Sequence, residues 1–138
     1  MSKQQILFVE DEADFSGLVR DLRKTVDALF LGDAELVVLQ SMEMMKHVLA
    51  TNHVVLVVMD LSLPDSPQEH TIELIARDHA KMPPIVVLTG DERIEVRRQC
   101  LFAGAAGVAT KRHVIESPNF FFAYLYNIFL LTLGKQNG

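Results

Sequence analysis

Short apolar runs alternate along the chain with longer segments whose apolar residues recur at helical spacing. The runs are Ile6-Leu7-Phe8-Val9, Leu36-Val37-Val38-Leu39, Val54-Val55-Leu56-Val57-Val58-Met59 and Ile85-Val86-Val87-Leu88, with Gly107-Val108-Ala109 as a weaker fifth. Runs this uniformly apolar suit strands of a parallel sheet covered on both faces. Between them, Phe15, Leu18, Val19, Leu22, Val26 and Leu29 form one amphipathic stripe, and Met42, Met45 and Leu49 mark a shorter helix. Ser66-Pro67-Gln68-Glu69 predicts a helix start, with Ser66 as cap, Pro67 in the first turn and Glu69 closing a capping box. That helix continues through Ile72, Ile75 and His79 until Pro83-Pro84. Asp91 to Ala103 predicts a fourth helix ended by Gly104, and Ser117-Pro118 opens a fifth.

Five strand–helix units imply right-handed crossovers and an α/β, doubly wound parallel sheet. In the flavodoxin-like arrangement its strand order is 2-1-3-4-5. The expectation from 138 residues is one domain, 1–138, with no separate output domain in this chain. With 49% hydrophobic and 22% charged residues the composition is that of an ordinary globular protein. A net charge of −5 gives no support to nucleic-acid binding. Cys100 is the lone cysteine, so no disulfide forms within the chain. No signal-peptide pattern opens the sequence, and its most apolar segment, Phe120 to Leu133, falls short of the about 20 residues a bilayer span needs. The expectation is a cytoplasmic protein without membrane contact.

In open α/β sheets, ligands bind beyond the carboxyl ends of the strands. Glu10, Asp11 and Glu12 follow the first run, Asp60 ends the third, Thr89, Gly90 and Asp91 close the fourth, and Lys111 follows the fifth. In the expected order these strands are neighbours, so the residues can converge on one pocket. Carboxylates this close repel unless a cation lies between them. Oxygen donors without Cys or His favour a hard cation such as Mg²⁺. An Asp carboxylate can act as a nucleophile toward a phosphoryl group, and Mg²⁺, Lys111 and the Thr89 hydroxyl can stabilise the transferring oxygens.

Four blocks carry a resemblance. Ile-Leu-Phe-Val-Glu-Asp-Glu (6–12), Val-Val-Met-Asp-Leu-Ser-Leu-Pro-Asp (57–65), Val-Val-Leu-Thr-Gly (86–90) and Ala-Gly-Ala-Ala-Gly-Val-Ala-Thr-Lys (103–111) resemble, in order and spacing, the signature blocks of two-component response-regulator receiver domains. The resemblance implies that Asp60 accepts a phosphoryl group from a histidine kinase or phosphotransfer protein. It implies that Asp11, Asp60 and the backbone carbonyl of Ser62 ligate Mg²⁺, with Glu10 helping through a water. Thr89 and Lys111 then contact the phosphoryl group, and output passes by protein contact through the face formed by the fourth helix, the fifth strand and the fifth helix. Such a chain is a switch and not an enzyme.

Three positions depart from the family. Glu10 replaces the usual Asp. Val108 stands where an aromatic is typical, and Arg112 follows Lys111 where Pro, often after a cis bond, is typical. A cis bond before Arg costs about 3–4 kcal/mol, so the expectation is a trans bond and a rearranged loop. Gly90 leaves access to Asp60. Ser62 and Asp91 flank the pocket as candidate tuning residues for phosphoryl lifetime, with ordinary loop polarity as the alternative. The five histidines show no metal-ligand spacing.

The last helix is uncharged from Phe120 to Leu133 and apolar nearly all round, so part of it needs cover. Phe121, Tyr124, Leu125 and Ile128 are the candidate interface, for a second copy or a partner; the alternative is a helix that packs deep. Three other functions compete. A phosphatase with an Asp nucleophile needs an acid two residues on, where Ser62 stands. An interaction module that works without phosphorylation stays open because of Val108 and Arg112. A flavin or nucleotide binder lacks its glycine-rich loop.

Overall fold

The structure, a computed structural model, describes residues 3–11 and 15–137; Glu12 lies outside them. The elements run β1 (Gln4–Val9), α1 (Ser16–Leu29), β2 (Ala34–Leu39), α2 (Met42–Thr51), β3 (Val54–Asp60), α3 (Gln68–Asp78), a 3₁₀ turn (His79–Lys81), β4 (Ile85–Thr89), α4 (Ile94–Ala103), β5 (Gly107–Thr110), α5 (Lys111–Glu116) and α6 (Pro118–Asn137). All strand pairs are parallel, in the order β2-β1-β3-β4-β5, as the sequence predicts.

Each strand feeds two cores because successive side chains point to opposite faces. Leu7, Val9, Val57, Met59, Ile85, Val87 and Val108 face α2, α3 and α4. Ile6, Phe8, Leu56, Val58, Val86, Leu88 and Ala109 face α1, α5 and α6. This two-sided burial is why the strand sequences lack polar alternation. Each such fully buried side chain is worth roughly 1.5–3 kcal/mol.

Besides α4, which begins at Ile94 and not at Asp91 because the Asp91 carboxylate closes a turn on the Arg93 N–H, two helix starts differ from the sequence expectation. Ser66 does not cap α3: Pro67 flanks the helix and supplies no side-chain cap. The Ser66 hydroxyl instead meets that of Thr71 at 2.7 Å, both residues fully buried. A buried hydroxyl needs a partner, and Thr71 satisfies it better than an exposed helix end. The second difference follows β5. The rearranged loop expected around Arg112 is a short helix, α5, and no described peptide bond is cis. Thr110 caps it by accepting the His113 N–H at 3.4 Å. Arg112, unlike proline, does not restrict the residue before it to extended backbone. Ser117 leaves helical geometry because Pro118 follows, and α6 starts there.

The last helix packs deep. Phe121, Leu125 and Ile128 are buried in the α1 side of the core, and Tyr124 is half-buried with them. A β-carbon at Gly107 would overlap the Tyr124 hydroxyl oxygen, so β5 and α6 approach closely only because residue 107 is glycine. The four residues expected to form a docking face are therefore committed to the sheet. The exposed large apolar residues of α6, among the described side chains, are Phe120, Leu130, Leu131 and Leu133. No helix among the described residues is long and apolar enough to cross a membrane.

Candidate phosphoacceptor and metal site

The backbone brings the acidic residues together before any side chain acts. β1 lies between β2 and β3, and β3 pairs with β4 so that Asp60 stands opposite Leu88. The ladder continues past the strand ends: the Glu10 N–H donates to the Leu39 carbonyl and the Leu61 N–H to the Leu88 carbonyl, each at 2.9 Å. Glu10 and Asp60 thus hang from paired backbone and not from free loop. Both are buried, at 5% and 2% exposure, while Asp11 is exposed.

Oxygen atoms of Glu10, Asp11 and Asp60 lie within 4.8 Å of one another. Lys111 enters from the first turn of α5. Its Nζ is 3.0 Å from Asp60 Oδ2 and 3.4 Å from Glu10 Oε2. The same ammonium sits 5.8 Å from the centroid of the Phe15 ring, within cation–π range. The second Asp60 oxygen accepts the Ser62 N–H at 3.0 Å, and Glu10 Oε1 accepts the Asp11 N–H at 3.0 Å. Among the described residues one ammonium faces three carboxylates, whose mutual repulsion a bound cation would relieve. The donors are all oxygen, which selects a hard divalent ion. The cluster borders an open groove of about 620 Å³ along α1, reaching Arg20 and Gln40.

Thr89 is buried at the end of β4, opposite Thr110. It does not cap α4, whose first residue is Ile94; its hydroxyl accepts the Asp91 N–H at 3.0 Å. Gly90 lies beside Lys111, where an added methyl would meet Cδ at an ordinary 3.9 Å. Asp91 is gripped by Arg93, whose Nη2 and Nε stand 2.7 and 3.0 Å from its two oxygens. The Arg93 side chain and its backbone N–H lower the Asp91 carboxyl to about 2. Asp91 is thus a loop-bracing residue as well as a pocket neighbour. Ser62 is exposed at the rim. Val108 is buried among Val87, Val96 and Ala105, and with Ile94, Arg97 and Thr110 it lines a cleft of about 220 Å³.

Three contributors escape periodicity analysis. Asp65, after β3, accepts the N–H groups of Met42 and Glu43 at 2.9 and 3.0 Å and so caps α2 beside Ser41. Phe15 shelters Lys111. Arg112 pairs with Glu92 at 3.1 Å. Each is a long-range or cross-element contact that no local spacing announces.

No family model matches the sequence, and no curated protein matches it. Solved structures match across nearly the whole chain. The signal receiver domain of an HD domain-containing protein from Pseudomonas fluorescens Pf-5 superposes with a TM-score of 0.75 at 17% identity, covering 99% of this chain and 94% of that one. The BeF3-activated receiver domain of RstA from Klebsiella pneumoniae gives 0.66 at 23% identity, covering 91% and 98%. The Mn²⁺-bound form of the response regulator Rcp1 gives 0.64 at 23% identity, covering 95% and 90%. The fold is that of response-regulator receiver domains.

Proposed function

We propose that this chain, built on the receiver fold, is a phosphorylation-driven signalling switch whose phosphoacceptor is Asp60. The observation that carries the reading is the clustering of Asp60 with Glu10 and Asp11, bridged by Lys111 from the first turn of α5. Glu10, Asp11 and Asp60, with the Ser62 carbonyl, would hold Mg²⁺. When bound, the ion supplies positive charge to the phosphoryl oxygens and relieves repulsion among the carboxylates.

The chain's own residues do the rest. The Asp60 carboxylate forms a bond to phosphorus as the bond from phosphorus to a donor's imidazole nitrogen or acyl oxygen breaks. The electron pair of that broken bond leaves with the donor. The Ser62 N–H, donating to one Asp60 oxygen, holds the carboxylate in a fixed orientation. Lys111 moves with the charge: its ammonium, shared between Asp60 and Glu10, turns to the phosphoryl oxygens. Thr89 accepts the Asp91 N–H, which leaves its own hydroxyl hydrogen to donate to a phosphoryl oxygen. The donor would be a histidine kinase, a phosphotransfer protein or a small acyl phosphate, and the output a contact with a downstream protein. No hydrolytic turnover of an outside substrate is part of this reading, since Ser62 offers no acid–base carboxyl beside Asp60.

Intact mass after incubation with acetyl phosphate and Mg²⁺ tests the proposal. One added phosphoryl group on the wild type, absent in Asp60→Asn and absent without Mg²⁺, is expected. No addition from acetyl phosphate or from histidine-phosphorylated donors, together with no Mg²⁺ binding, would make an interaction module that works without phosphorylation the better reading.

A further inference from the structure

Both cations at the start of α5 sit in its first turn, where no acidic residue of the helix accompanies them. The positive end of a helix disfavours cations, so each needs a carboxylate from elsewhere. Lys111 finds Asp60 and Glu10; Arg112 finds Glu92, in the loop after β4, at 3.1 Å. That loop is internally braced. The Asp91 N–H donates to Thr89 Oγ1, the Arg93 N–H donates to Asp91 Oδ1, and the Arg93 guanidinium clasps the Asp91 carboxylate. Thr89 to Arg93 is therefore braced as one piece, and Glu92 ties that piece by a side chain to the helix carrying Lys111, beyond the end of the β4–β5 ladder.

We infer that Glu92 and Arg112 are positioning residues: their ion pair holds the Thr89 loop and the Lys111 turn in register over Asp60, so that both reach an incoming phosphoryl group together. The inference rests on the phosphoacceptor reading of the site. Neither residue touches Asp60. They act through Thr89 and Lys111, by extending beyond the last ladder pair, Thr89 with Thr110, the spacing that β4 and β5 set. The pair is exposed, at 71% for the arginine and 46% for the glutamate, so its coupling is screened by salt.

The test uses the full chain as wild type, Glu92→Gln, Arg112→Gln, the double variant and the exchanged pair Glu92→Arg with Arg112→Glu. The probe is beryllofluoride with Mg²⁺, titrated against the amide shifts of Thr89, Gly90 and Lys111, with thermal melts as a check on folding. Each single variant should raise the half-saturating concentration by roughly two- to five-fold, the range expected of an exposed ion pair. The double variant should be no worse than either single one, the exchanged pair should recover most of the loss, and 1 M NaCl should erase the differences. Single variants that match or surpass the wild type, or losses that add in the double variant, would overturn the inference while leaving Asp60 as acceptor intact. A wild type that takes up no beryllofluoride would overturn the phosphoacceptor reading, and the inference with it.

Discussion

Lys111 Nζ lies 3.0 Å from Asp60 Oδ2 and is held there by Glu10 on one side and the Phe15 ring on the other. The ammonium occupies the position of a resident counterion. Removing it leaves two buried carboxylates without their shared partner, and stranding a buried charge in this way costs about 3 kcal/mol. Lys111→Met should therefore lower the melting temperature in chelator. Millimolar Mg²⁺ should restore more stability to the variant than it adds to the wild type, because a ligand that binds only the folded state stabilises it by mass action. Calorimetry with and without Mg²⁺ reads both effects. Equal melts for the two proteins in chelator would refute the counterion role.

Asp65 makes α2 depend on a residue outside it. Partial burial raises its carboxyl, but the N–H donors of Met42 and Glu43 outweigh that and the net displacement is downward. A carboxyl depressed in the folded state contributes stability above its ordinary value near 3.8, and the contribution fades as pH falls through the lower folded value. Asp65→Ala should cost about 1 kcal/mol at neutral pH, the usual loss for a helix cap. The gap between variant and wild type should close below about pH 4. Urea melts at pH 7 and pH 3 measure it. A gap that persists unchanged at pH 3 would mean the side chain stabilises by something other than its charge.

Gly107 and Tyr124 set the distance between β5 and α6. A methyl at residue 107 collides with the tyrosine hydroxyl and with ring carbon Cζ, 2.8 Å away. Overpacking of this kind costs about 1–3 kcal/mol. Gly107→Ala should be destabilising alone but nearly neutral on a Tyr124→Leu background, which removes the ring end. A double-mutant cycle by denaturant unfolding tests this. Additive losses would show that backbone conformation, not the tyrosine, demands glycine there.

Much of this architecture can be read from apolar runs alone. Two-sided burial writes itself into a sequence as unbroken Val, Leu and Ile, which is why the strands from Ile6, Val54 and Ile85 are visible without structure. Strand ends then locate Glu10, Asp11, Asp60, Thr89 and Lys111, since the parallel order puts those ends on one rim. What escaped was contact across elements. Ser66 has the form of a cap, yet its hydroxyl turns inward to Thr71. The uncharged stretch after Phe120 has the form of an interface, yet Phe121, Leu125 and Ile128 serve the core, and the outward side of α6 is a narrower apolar set. Composition reports how apolar a helix is, but not how much of its circumference a sheet, α1 and α5 cover. Arg112 signalled a change after β5, and a one-turn extension into helix is what replaced the expected loop.

The cap that Asp65 places on α2 also orders events in time. Its acceptor oxygens arrive 23 residues after the Met42 N–H they satisfy. As the chain emerges during synthesis, α2 can wind with Ser41 alone at its head, but its first turn is completed only once the segment beyond β3 has been made. Residues 61–66, closed on themselves by the paired backbones of Leu63 and Ser66, thus act as a late-arriving clasp that fastens the segment leaving β3 to the head of α2.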